Sequence, residues 1–359
     1  MRTPLLALAA VAALVAGCGG DDPEPTQPQQ PAAAATDLSA VKDYLLDHTS
    51  RLQADTAKLA SQADAYYALA KSAGFDYAAL LADHRDEVAQ MVEQMQDTYI
   101  DANPAYEEME GVVAGVPSLA DYDVIIDAGG DKSDPENAVP FSVKTPAGRT
   151  FEQPGNFFWL VETSLWGTEP KYAAQGVEPD LDGDGKVAFG EAVPDADFLV
   201  AAAKDFASNA KDLDAAAGEW QPTAQDAFTA LVVMTPTMSE YFEAWKNSRF
   251  VAGGKSGEKV FVAASRLQDI AGILNGLVLI YDSVEPSVTK ANAQQAKQTG
   301  SDLKDLHQFA VKLRDQEASG RRFSADEADT LGSDAQDRAE AIAGQVSQAA
   351  GQLGIQLEN

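Results

Sequence analysis

The chain has 359 residues, with 26 Lys+Arg against 56 Asp+Glu, a formal net charge of −30 and a hydrophobic fraction of 45%. A surface this acidic repels phosphate backbones, which excludes nucleic acid as a partner. One cysteine excludes an intrachain disulfide, three histidines argue against a multi-histidine metal cluster, and the length suits one large domain or two ordinary ones.

Residues 1–17 carry Arg2, an apolar run from Leu5 to Ala16 and then Gly17, the parts of a secretion signal. The run is only about twelve residues, short for a bilayer span. Val15-Ala16-Gly17-Cys18 matches the bacterial lipobox, so Cys18 is the expected lipidation site and the start of the mature chain. Residues 18–36 hold that cysteine and a linker with Pro23, Pro25, Pro28 and Pro31, an acidic pair and an alanine run. Nothing in the linker can bury a core, so disorder is expected. The expected location is the bacterial cell envelope, outside the cytoplasm, with the lipid as the membrane attachment.

From residue 37 onward the pattern is helical. Leu38, Leu45, Leu52, Leu59 and Tyr66 recur at heptad spacing and predict one long helix from Asp37 to Ala73, stopped by Gly74. Tyr77, Leu80, Leu81, Val88, Met91, Val92, Met95 and Tyr99 share the face of a second helix, which Asn103-Pro104 is expected to break. A short helix then holds Glu107, Glu108 and Glu110. From Asp121 to Gly155 the pattern fails, apart from a hairpin of Phe141–Thr145 with Arg149–Phe151 around Pro146-Ala147-Gly148. Phe157–Trp166 reads as a buried helix, followed by a loop to Pro194. Further helices are expected at Asp197–Ala217, Thr223–Lys246, Glu258–Val284 (ended by Glu285-Pro286), Ser301–Glu317 and Ser324–Leu353. Ser324 and Glu327 have capping-box spacing. The apolar run Ile270–Ile280 contains Asn275 and reads as core rather than as a membrane span. The fold class is all-α, two antiparallel helical bundles over about 37–166 and 195–357, with an irregular insertion at 168–194.

That insertion carries the sharpest chemical signal. Residues 180–191 read Asp-Leu-Asp-Gly-Asp-Gly-Lys-Val-Ala-Phe-Gly-Glu. Asp180, Asp182 and Asp184 occupy positions 1, 3 and 5 of an EF-hand-type loop. Gly185 occupies the sharp turn at 6, Lys186 offers its backbone carbonyl at 7, and Glu191 is the bidentate carboxylate at 12. Hard oxygens at these spacings suit Ca²⁺, and Val187 at position 8 is the expected apolar anchor. Pro179 and Pro194 leave no room for long flanking helices, so the loop is expected to lock the insertion rather than to act as an opening sensor.

A second segment, Gly155-Asn156-Phe157-Phe158-Trp159-Leu160-Val161-Glu162-Thr163-Ser164-Leu165-Trp166-Gly167, resembles the hallmark of the imelysin-like family, Gly-x-His-x-x-Glu followed by Leu-Trp-Gly. Glu162 falls on the motif glutamate and Leu165-Trp166-Gly167 on the trailing signature. The motif histidine falls on Trp159 and the motif glycine on Phe157. The Asp121-Tyr122-Asp123-Val124-Ile125-Ile126-Asp127 stretch and Ser265-Arg266-Leu267-Gln268-Asp269 fit the same outline. The resemblance implies a two-bundle fold and one of two functions, a metallopeptidase or a periplasmic iron-uptake lipoprotein handling iron or another divalent cation with an iron-uptake permease or other envelope protein as partner.

Trp159 has no lone pair to give a metal, and no His-Glu-x-x-His exists for a zinc peptidase. Hydrolysis is therefore not expected. Glu162 has two readings, a buried carboxylate hydrogen-bonded near the bundle interface, or one member of a second cation site with Asp123, Asp127 or Asp269. His48, on the heptad face of Val41, His84, on the face of Leu80 and Val88, and His307, beside Leu303 and Ala310, read as core or border residues before they read as ligands. Three functions in different classes follow, a calcium-stabilised, non-catalytic cation-binding lipoprotein, a metallopeptidase of the same fold, and a structural adaptor that binds an envelope partner.

Anchoring is directly testable. Cys18→Ser removes the thiol that carries the lipid, so the variant should stay unprocessed or appear as free secreted protein. A processed C18S protein that still fractionates with membranes would contradict the lipoprotein assignment.

Overall fold

The computed structural model describes residues 36–358; the expected signal peptide, the expected lipidation site Cys18 and the expected linker, through residue 35, lie outside the described residues. The first helix, α1 (Ser39–Ser72), presents Leu45, Leu52, Leu59 and Tyr66 as one fully buried stripe. It ends where Gly74 takes φ +64, a left-handed conformation that costs glycine nothing. α2 (Tyr77–Val113) starts at Asp76, whose side chain caps the Ala79 N–H, and runs antiparallel to α1.

Two prolines expected to end helices do not. Asn103-Pro104 lies inside α2, which continues through Glu107 and Glu110. The acceptor that Pro104 orphans is the carbonyl of Ile100, and Ile100 is 43% exposed, so water can take the lost bond. The one non-helical residue in α2 is His84, which is exposed at the kink beside Glu87 rather than on the buried face. Pro286 likewise lies inside α9 (Arg266–Ala318). The chain reverses instead at Asn292, whose backbone is extended and whose Oδ1 caps the Gln295 N–H at 3.1 Å. Beyond it Tyr281 Oη donates to the Ala296 carbonyl at 2.9 Å, and Lys304 meets Asp282 at 2.8 Å. Fifteen residues of straight helix would put about 22 Å between Tyr281 and Ala296. α9 is therefore a helical hairpin.

The middle of the chain is less regular. α3 (Ala120–Asp123) passes into a π-helical turn over Val124–Ala128, where an irregular coil was expected. β1 (Ser142–Lys144) and β2 (Thr150–Glu152) pair antiparallel with Val143 opposite Phe151, forming the expected hairpin. α4 (Phe157–Leu165) matches the buried motif helix and is capped by Asn156, which accepts from Trp159 N at 2.9 Å. α5 (Ala196–Glu219) packs along α1. The expected Thr223–Lys246 helix is two, α6 (Ala224–Met234) and α7 (Met238–Asn247), because Thr235-Pro236-Thr237 forms a 3₁₀ turn. A short α8 (Arg249–Ala252) follows, and residues 256–265 are irregular rather than helical. α10 (Ala325–Leu353) starts with the full Ser324/Glu327 capping box.

The fold is all-α, with one two-stranded sheet among the described residues. α1, α2, α4 and α5 pack together, as do α6, α7, α9 and α10, and α2 also packs on α9. Their apolar faces join in one continuous core. Ile270, Ile273, Leu274, Leu277 and Ile280 are part of it, so this run is core.

The position of the α9 turn predicts opposite effects at two sites. Asn292→Ala removes the cap and should lower stability to urea by about 1 kcal/mol. Pro286→Ala returns a donor to the Asp282 carbonyl and should not lower it. Loss of stability in P286A but not in N292A would place the turn at the proline.

Candidate metal centre

The 180–191 loop closes on its own carboxylates. Gly183 and Gly185 N–H groups donate to the two Asp180 oxygens at 2.8 and 3.1 Å, and the Asp184 and Lys186 N–H groups donate to Asp182 and Asp184 at 2.9 and 2.8 Å. One carboxylate oxygen each from Asp180, Asp182 and Asp184 lies within 4.8 Å of the others. Glu191 reaches back across the loop and accepts from the Leu181, Asp182 and Ala188 N–H groups at 2.9, 3.0 and 2.6 Å. The donor set is all hard oxygen, which fits Ca²⁺. Val187 is not the anchor expected for it, being 47% exposed; Leu181 is buried instead, and the Arg249 guanidinium covers the Phe189 ring at 3.4 Å. Neighbours hold the loop from outside. Arg85 donates to the Asp180 carbonyl, and Gln96 Nε2 bridges the carbonyls of Gly190 and Leu165 at 2.8 and 2.9 Å.

A second acidic group lies inside the protein. Glu107 and Glu110 from α2, Asp123 and Asp127 around the π-turn and Asp269 from α9 are all buried. Arg266 is the cation placed among them, 2.7 Å from Asp269 and 3.5 Å from Glu107. Oxygens of Glu107, Glu110 and Asp127 lie within 4.8 Å of one another. Tyr106 donates to Asp123 at 2.6 Å, and Tyr241 donates to Glu110. The π-turn bends the chain so that Asp127 points inward; Asn156 holds the turn through the carbonyls of Asp127 and Gly129. Five carboxylates around one guanidinium leave charge uncompensated. Glu107 Oε2, Glu110 Oε2, Asp269 Oδ1 and Arg266 Nε also have no hydrogen-bond partner. Buried polar atoms normally have one, so orphans gathered in one place make this group a candidate cation site. Hard oxygen donors fit a hard cation there.

Glu162 is not one of the three carboxylates that gather there, although the Asp269 charge adds to the rise of its pKa. Its Oε1 accepts from the Val262 and Ala263 N–H groups at 2.9 Å each and its Oε2 from Phe261 N–H at 2.7 Å. It therefore clamps α4 to the segment that leads into α9. Trp159, at the motif-histidine position, packs on Gly155, where φ is +108 and a Cβ would come 2.9 Å from the indole. His48 is buried between the Tyr44 carbonyl and Glu108, each at 2.7 Å, and His307 is half-buried on α9. Sequence reasoning named Asp123, Asp127 and Asp269 but passed over Glu107, Glu110 and Arg266. The available signal was the i, i+4, i+7 spacing of Asn103, Glu107 and Glu110, three polar residues on one face of the helix.

Burial dominates the titration of these groups. It pushes Glu110 up to about 8, with the Asp127 and Asp123 charges adding to it, and Asp123 to about 7, with Asp127 adding. Burial raises Glu107 well above the usual range, with Asp269 adding, and raises Asp127 against the pull of Arg266. Asp269 rises only to about 6 because Arg266 offsets its burial. Glu162 is pushed up to about 7 by burial, opposed by its three backbone donors. Burial works against the Arg266 charge, but Asp269 and Glu107 outweigh it and hold the guanidinium above its ordinary range. Without a cation, several of these carboxyls hold protons near neutral pH.

Comparison with known families gives one result. The family model for Imelysin, named as a peptidase family, matches residues 40–346, most of the chain and every element that builds the buried cluster. No curated protein matches.

The raised carboxyls fix the sign of a pH dependence. The folded state keeps protons that the unfolded chain releases near pH 4.5, so this stability is present at low pH and lost as pH rises toward 8. Metal-free protein should therefore become less stable to urea from pH 5 to pH 8. Glu110→Gln should reduce that fall by at least about 1 kcal/mol. An unchanged pH profile in E110Q would contradict the assignment.

Proposed function

Since the chain belongs to the imelysin family, we propose that it is a cation-binding lipoprotein of the bacterial envelope, without peptidase activity, that takes part in acquiring iron or a similar hard cation. The buried cluster would hold that cation, with Glu107, Glu110 and Asp127 as ligands and Asp269 paired to Arg266 beside them. The observation that carries this reading is the set of unpartnered oxygens on Glu107, Glu110 and Asp269, with five buried carboxylates around a single guanidinium. A multivalent cation there would supply the missing charge and take up open lone pairs.

Calcium would serve a different end in the 180–191 loop. Asp180, Asp182, Asp184 and Glu191 would hold it through side chains, and Lys186 through its carbonyl. Gln96 ties this loop to the C-terminal end of α4, so ordering the loop also supports the helix that carries Glu162. Extracytoplasmic calcium is plentiful, so modest affinity suffices. Against hydrolysis stands the chemistry of the residues. Trp159 cannot ligate, and His48 and His84 are engaged with Glu108 and Glu87. A metallopeptidase needs an open metal position and a general base facing the substrate. Glu162, the motif carboxylate, is spent on three backbone N–H groups.

Metal counting by equilibrium dialysis, with thermal melts, tests both assignments. Wild-type protein should bind calcium and, independently, a second hard cation such as iron. Glu191→Gln should abolish the calcium-induced stabilisation, about 2.7 kcal/mol at a hundredfold excess over Kd, and leave the second site intact. Asp127→Asn should do the reverse. Chelator-sensitive cleavage of a denatured protein substrate would favour the peptidase reading; absence of a second cation in wild type would overturn the acquisition role.

A further inference from the structure

Asn103 stands one helical turn before Glu107 on α2, and Glu110 follows on the same face. Its Nδ2 donates to Glu107 Oε1 at 3.0 Å. That bond serves either protonation state of Glu107, because a carboxylate and the carbonyl of a neutral carboxyl both accept. Each side chain is thus paired through one head atom and open at the other. Asn103 Oδ1 and Glu107 Oε2 are both closed to solvent and both without a hydrogen-bond partner. An apolar side chain at position 103, which is only 7% exposed, would avoid the cost of a buried and unpaired amide oxygen.

Position limits what can satisfy that oxygen. With C=O and C–N bonds of about 1.2 and 1.3 Å, Oδ1 stands at most about 5.6 Å from Glu107 Oε1, beside the cluster rather than away from it. Arg266 Nε, the unpaired donor of the group, makes no bond with it. The oxygens of Glu107, Glu110 and Asp127 already lie within 4.8 Å of one another. A hydroxyl or an N–H donates one proton to one acceptor, whereas a hard cation takes six or more oxygens together. A single ion at the cluster is therefore the simplest partner for an amide oxygen and a carboxylate oxygen left open side by side.

We propose that Asn103 is a further ligand of the buried cation site, its Oδ1 meeting the ion beside Glu107 Oε2. The inference rests on the cation reading of the cluster given above. An amide oxygen is a hard, neutral donor of the kind that calcium sites use. It adds a ligand without adding charge to a centre that already holds five carboxylates, and it favours hard ions over those that prefer sulfur. The Nδ2 group meanwhile fixes the Glu107 carboxyl through Oε1 and leaves Oε2 for the ion, the outer hydrogen bond that ligating carboxylates commonly carry.

Manganese suits carboxylate and carbonyl ligands and scatters anomalously, so Mn²⁺ is the probe. The parent protein is the full chain carrying Glu191→Gln, which silences the 180–191 loop. Loss of the free-ion EPR signal on titration gives the affinity, and crystals soaked in Mn²⁺ give the position. The peak should lie beside Glu107 and within about 2.6 Å of Asn103 Oδ1. Asn103→Leu, similar in size but with neither donor nor acceptor, should weaken binding at least about tenfold. Asn103→Asp keeps an oxygen and loses the donor, so it should bind Mn²⁺ at least as tightly as the parent. A residue needed only to hold Glu107 would lose affinity in both variants, and melting in chelator checks that both fold. A parent that binds no Mn²⁺ at the cluster would overturn the cation reading and this inference with it. Unchanged affinity in N103L, an equal loss in N103D, or a peak beyond coordination distance of the Asn103 oxygen would leave the cation site standing and overturn the ligand.

Discussion

The arrangement around Arg266 constrains the rest of the molecule. One guanidinium, buried with Glu107, Glu110, Asp123, Asp127 and Asp269, holds α2, the π-turn and α9 to a common centre. Carboxylates in that setting can stay ionised only with a counter-charge, and Arg266 supplies only one. The remainder must carry protons or a cation. This makes the centre costly to keep as mere structure, since apolar side chains of similar volume would pack without the desolvation penalty. Its position in the middle of a continuous apolar core is what makes it a functional candidate.

Around this centre several elements are tied by side-chain bonds to backbone, and Arg149 pairs the β-hairpin with Asp195 and Asp197 at the start of α5. Glu162 holds the irregular 256–265 segment against α4, and Asn156 holds α4 against the π-turn. Tyr66 and Tyr77 meet the start of α5 at Pro194 and Ala196. Gln96 closes the circuit between α4 and the acidic loop. The motif glutamate thus joins α4 to the segment that leads into α9 and Arg266.

What was legible in the sequence was local. The leucine stripe of α1, the Ser324/Glu327 cap and the β-hairpin are encoded within short stretches and appear where expected. The 180–191 pattern is of the same kind, because its carboxylates lie within one loop. The breaks were misread at Pro104 and Pro286, where exposure of a carbonyl or tertiary packing carries the helix through a proline. Asn292, where α9 actually turns, lies in a polar stretch with neither glycine nor proline beside it. The buried cluster was only half visible because α2, the π-turn and α9 each contribute separately, and no single window contains it.

Anomalous diffraction from crystals grown with iron and calcium addresses the central claim most directly. The account predicts an iron peak bounded by Glu107, Glu110 and Asp127, separate from a calcium within 180–191. Ordered water alone among those carboxylates, with iron confined to surface acids, would contradict it.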